Sequence, residues 1–187
     1  MKNFRILALA LTTIATFTAC SNEDGTTVVN EEEVITTIIA TFTPAAGGNA
    51  ITLTSRDLDG DGPVAPVVTV SGNFTAGAAY TGTVTFLNEI VNPVVNTTLE
   101  IQEEATDHQI FFKQTGLGIF TYADADANGH PIGLKFAYTA ATTPANSLLT
   151  ITLRHLPNKS GVNVPNGDIT NAGGGTDAEV SFAVVVE

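Results

Sequence analysis

The chain has 187 residues, 43% of them hydrophobic, with 7 basic against 19 acidic side chains and a formal charge of −12. Such an acidic surface repels phosphate backbones and anionic headgroups, which excludes nucleic acid as a partner and leaves acyl chains as the only membrane attachment. A lone cysteine excludes an intrachain disulfide, so stability must come from a packed core, for which about 155 residues suffice.

The first element is a predicted lipoprotein signal peptide over residues 1–19. Lys2 and Arg5 make a basic start, an apolar run extends from Ile6 to Phe17, and the small residues Thr18 and Ala19 precede Cys20. The run is too short for a spanning helix, which needs about 20 apolar residues. Cys20 stands where such a signal is cut, so it is expected to be acylated, by palmitate or a similar chain, and to become the first mature residue. Cleavage removes two basic residues and no acid, leaving a mature charge of 5 − 19 = −14. Residues 20–33, with "SNEDGTTVVNEEE" after the cysteine, are polar and acidic and read as a flexible tether.

From residue 34 to 187 the pattern is β. Nine short runs rich in Val, Ile, Thr and aromatics follow one another: "VITTIIATFTP", "NAITLTSR", "APVVTVSG", "YTGTVTFLNE", "HQIFFKQ", "GIFTYAD", "IGLKFAYTA", "SLLTITLRHL" and "AEVSFAVVVE". Several alternate with period 2, as a half-buried strand requires. Turn signals such as Gly47-Gly48, Asn128-Gly129 and Gly173-Gly174-Gly175 separate them. The spacing predicts an all-β, two-sheet antiparallel sandwich of immunoglobulin-like type. Residues 97–107, "TTLEIQEEATD", fit either an acidic strand or one or two helical turns capped by Thr98.

Two loops repeat the layout D-x-D-x-[DN]-G. Asp57, Asp59 and Asp61 precede Gly62, and Asp124, Asp126 and Asn128 precede Gly129. That is the first half of an EF-hand calcium loop, in which oxygens at positions 1, 3 and 5 converge on the ion. The bidentate Glu of position 12 is replaced by Val68 and Lys135, so a complete EF-hand is excluded. A looser Ca²⁺ site completed by distant oxygens would relieve the repulsion among the carboxylates. Asp, Asn and Gly are also what ordinary turns select.

The histidines are His108, His130 and His155, and none has the close spacing of a zinc helix or knuckle. A site assembled in three dimensions would draw on His108 and His155, while strand-end histidines are the commoner explanation. No G-x-S-x-G elbow, H-E-x-x-H or P-loop occurs, so no catalytic residue is expected. Tyr80, Tyr122, Tyr138 and the ten phenylalanines read as sheet core, and the absence of Trp weakens a sugar-binding reading.

The motifs "EEEVITT", "LTSRDLDGDGP", "GTVTFLNE", "DHQIFF", "YADADANGHPIGL", "LRHLPNK" and "GDITNAGGGTD" together resemble a family of small, uncharacterised lipoproteins of flavobacteria and other Bacteroidota. Those proteins often carry the label "type 1 periplasmic binding fold superfamily protein". A type 1 periplasmic binding protein is two α/β lobes, whereas the strand pattern here predicts one all-β domain. The resemblance implies an outer-membrane lipoprotein, sometimes considered beside TonB-dependent receptors, and brings no catalytic residues. The expected function is therefore a non-enzymatic ligand- or cation-binding module on a lipid anchor, accessory to such a transporter. The alternative is a calcium-stabilised structural or adhesive surface module.

Overall fold

Each of the nine runs forms a strand: β1 Thr37–Pro44, β2 Ile51–Arg56, β3 Val67–Val70, β4 Ala79–Leu87, β5 His108–Lys113, β6 Gly118–Tyr122, β7 Lys135–Ala140, β8 Ala145–His155 and β9 Gly175–Val186. The structure is a computed structural model and describes residues 33–60 and 62–187. The predicted signal peptide, Cys20, the tether as far as residue 32, and Asp61 lie outside the described residues.

Every pairing between strands is antiparallel. One sheet has six strands in the order β3-β2-β1-β4-β7-β6, and the other has three in the order β5-β8-β9. An immunoglobulin constant-type domain divides its strands four and three. Here β3 and β6 widen one sheet, so the two-sheet arrangement is met with a different partition.

Alternation explains which side chains meet between the sheets. Ile38, Ala40 and Phe42 of β1, Val84 and Phe86 of β4, and Leu149, Ile151 and Leu153 of β8 are buried at every second position. Phe42 stands at the centre, edge-on to Phe74, Phe136 and Tyr138 with ring centroids 4.8, 5.1 and 5.6 Å away. Burial of such a ring contributes about 1.5–3 kcal/mol, and each edge-to-face pair about 0.5–1.5 kcal/mol more. Position 82 on β4 is glycine for a packing reason. A Cβ there would lie 2.1 Å from the Phe136 ring, itself wedged against Phe112 at 4.6 Å.

The three tyrosines belong to this packing. The Tyr80 hydroxyl accepts from Thr75 N–H, while Tyr122 and Tyr138 donate to the carbonyls of Ile110 and Leu117. Burial pushes the Tyr122 and Tyr138 phenols up to about 12, so both remain protonated at neutral pH.

The ambiguous stretch 97–107 forms a short helix, α1, Thr98–Glu103. Its predicted cap is not made. The Thr98 hydroxyl instead donates to the carbonyl of Phe86 and accepts from its N–H, which ties the helix to β4. Buried Ile101 fixes the inner side of α1. Strand β5 is buried on both faces, because two 3₁₀ turns, Val164–Asn166 and Ile169–Asn171, cover its outer side. Phe111, Val164 and Ala172 form a small second core beneath them.

Candidate metal centre

His108 opens β5 and His155 closes β8, and the antiparallel register places them directly opposite each other. Both have the parity of the core-facing residues Ile110 and Leu153, so their rings turn inward at one end of the sandwich. The rings stack with centroids 4.9 Å apart and an interplanar angle of 8°. Side chains directly opposite across an antiparallel pair are the closest neighbours a sheet provides.

Asp177 joins them through a break in register. Leu153 pairs with Ala178, but Arg154 pairs with Thr176, so Asp177 is an extra residue on β9. Such a β-bulge re-aims one side chain. Asp177 Oδ1 lies 3.6 Å from His155 Nδ1, and its Oδ2 lies 3.6 Å from His108 Nε2. The turn into β9 needs glycine at 174, where φ is +72° and a Cβ would meet the carbonyl oxygen of His155 at 2.2 Å.

The fourth member is Glu33, just ahead of β1, whose Oε1 lies 2.8 Å from His108 Nε2. One ligand atom from each of Glu33, His108, His155 and Asp177 can be chosen so that all lie within 4.8 Å of one another. An ion held tetrahedrally at the usual Zn–N and Zn–O lengths has ligand–ligand edges of about 3.4 Å. The separations of 2.8, 3.6 and 3.6 Å, the last two made by different oxygens of Asp177, lie near that value, and the full set spreads to 4.8 Å, so the side chains would draw in around a bound ion.

The surroundings fit a cation. The four side chains are 3, 0, 9 and 1% exposed in the order Glu33, His108, His155, Asp177. A buried carboxylate is stabilised by nearby positive charge. Glu33 Oε2 is buried with no hydrogen-bond partner among the described residues. His108 Nδ1 lies 3.1 Å from the carbonyl of Glu104, an acceptor, so Nδ1 carries the proton. That leaves Nε2 facing the two carboxylates, the position from which it would ligate a metal ion. Fixing the tautomer through the remote nitrogen is the outer-shell arrangement typical of metal-bound histidine. These residues could therefore hold a metal ion.

The loops singled out by their acidic spacing have other partners. Asp124 accepts from the N–H groups of Gly133 and Lys135, both at 2.7 Å. Asp126 Oδ1 accepts from the N–H of Asn128 and of His130, and Oδ2 from Lys159 Nζ at 2.7 Å. Burial raises the Asp126 pKa, but the Lys159 hydrogen bond, the two N–H donors and the ammonium charge outweigh it and hold the carboxyl below its ordinary value. In the first loop Asp57 accepts from Asp59 N–H and Asp59 from Val64 N–H. Asp61 falls outside the described residues. The acidic side chains that do converge on imidazole are Glu33 and Asp177, which the motif search missed.

A cleft of about 260 Å³ opens beside the four-residue group, with Thr36, Ser55, Asp57, Pro66, Asp177 and Glu179 among its walls. Two further hollows, of about 240 and 450 Å³, lie against Phe120 and Tyr122 of β6. Comparison of the chain with protein-family models, with curated proteins and with solved structures finds no match.

Proposed function

We propose that this chain is a lipid-anchored protein of the bacterial outer membrane whose β-sandwich binds one divalent transition-metal ion, of the Zn²⁺ class, without catalysing a reaction. The observation that carries the reading is the buried convergence of two imidazoles and two carboxylates, with Glu33 Oε2 lacking a hydrogen-bond partner among the described residues. Imidazole nitrogen favours Zn²⁺ and its neighbours over Ca²⁺ and Mg²⁺, which take oxygen ligands. Four protein ligands fill a tetrahedral shell, as in sites that hold an ion rather than activate water on it. The anchor rests on Cys20 and the small residues before it. In this reading the module captures or stores the ion beside an outer-membrane transporter of the TonB-dependent class. The calcium reading rests on Asp57, Asp59 and Asp61 and would make the ion a loop stabiliser instead.

Titration of the full-length protein, purified in detergent, with Co²⁺ as a spectroscopic stand-in should give one equivalent with the visible bands of a four-coordinate ion. His108→Ala and His155→Ala should each abolish those bands, and Ca²⁺ should not compete. Binding that survives both substitutions sinks the site. The anchor is checked separately with Cys20→Ser, which should leave an unprocessed or soluble chain; membrane partition equal to that of the parent rules it out.

A further inference from the structure

We infer that the cleft beside Asp177 is the route by which the ion reaches and leaves the four ligands, and that Asp57 and Glu179 collect it at the rim. The inference rests on the metal reading and adds to it the path of exchange.

The four ligand side chains are at most 9% exposed, so an ion needs a defined way in. Of the hollows described, only the cleft between the β1–β2 side and β9 has one of the four ligands, Asp177, in its wall. Its other polar groups suit a cation in transit. Asp57 and Glu179 bring carboxylates, Thr36 and Ser55 bring hydroxyls, and no basic residue among the described ones lines it. Glu179 is held in place by the Thr152 hydroxyl, which donates to Oε2 at 2.8 Å. Asp57 is held by its own N–H, which donates to the Thr36 carbonyl at 2.7 Å. Charges of one sign on low-dielectric walls focus the field and raise the local concentration of the opposite ion. Asp57 thereby gains a part in cation handling that does not require the loop itself to chelate.

A route has kinetic signatures that a ligand lacks. Charges at its mouth act on association and on its salt dependence, with little effect on dissociation. A plug slows both directions by the same factor and leaves the equilibrium constant unchanged.

The test is stopped-flow mixing of the full-length protein with Co²⁺, and release of bound Co²⁺ into EDTA. Asp57→Asn with Glu179→Gln should slow association about tenfold at low ionic strength, the lower end of electrostatic steering effects. The difference should shrink at about 0.5 M salt, where screening extends over only a few ångströms. Glu100→Gln with Glu187→Gln removes the same net charge elsewhere and should leave the rate unchanged. Ser55→Leu, which narrows the cleft, should slow uptake and release alike. If that variant does not fold, the charge variants decide. Equal rates in parent and rim variants overturn the route while leaving the metal site intact. A parent that takes up no Co²⁺ overturns both readings.

Discussion

Lys159→Met is expected to destabilise the domain by about 3–5 kcal/mol, the cost of leaving a buried charge without its partner. The Lys159 side chain is 4% exposed and that of Asp126 is 0% exposed, so water cannot replace the lost ammonium. Lys159 Nζ also donates to the Ala105 carbonyl at 2.7 Å, which ties the loop after α1 to the same point. Thermal unfolding should show a fall of roughly 6–20 °C for a domain this size. Adding Asp126→Asn should recover much of the loss, since an amide keeps the Oδ1 acceptor for Asn128 and His130 and removes the stranded charge. The pH dependence has a definite sign. A carboxyl whose native pKa is lowered contributes stability above its unfolded value of about 3.9, and that contribution disappears as pH falls through the native value. Parent and Lys159→Met should therefore converge in acid. A constant gap down to pH 2, or a loss under 1 kcal/mol at neutral pH, would show that the pair contributes little.

Saturation with Zn²⁺ should raise stability by about 4.1 kcal/mol at a free concentration one thousand times the dissociation constant. That corresponds to a melting-temperature rise of roughly 8–16 °C. Ca²⁺ at the same free concentration should give a small fraction of this. The gain requires His108 and His155 together, because a metal bound by the native ligand set stabilises only the state in which that set is assembled. In His155→Ala the rise should nearly vanish, while melting in EDTA should shift far less. If Zn²⁺ fails to raise the parent's melting temperature, the four side chains do not hold the ion.

The strands were legible because a period of two is a local property, visible in runs such as "TIIATFTP" without knowledge of any partner. The division into six and three strands was not, since it depends on pairings such as β1 with β4 across more than thirty residues. The site divides the same way. His108 and His155 could be named as strand-end histidines, but only the register shows that they face each other. Glu33 hides among three consecutive glutamates, and nothing local marks it as a member of the site. Asp177 follows a glycine run that reads as a plain turn, and its direction comes from a bulge defined by the neighbouring strand. The acidic spacing of the loops was plain, yet what occupies Asp126 is a lysine 33 positions away.

The bulge makes Asp177 surplus to the sheet. With Leu153 opposite Ala178 and Arg154 opposite Thr176, the ladder keeps step on both sides of residue 177 as though that residue were not there. Removing its single codon would close the ladder into an unbroken run and leave every other strand pairing in place. Scaffold and candidate site are thus written in separable parts of the gene: a chain one residue shorter is expected to keep the sandwich and to lose one of the four side chains that could hold an ion.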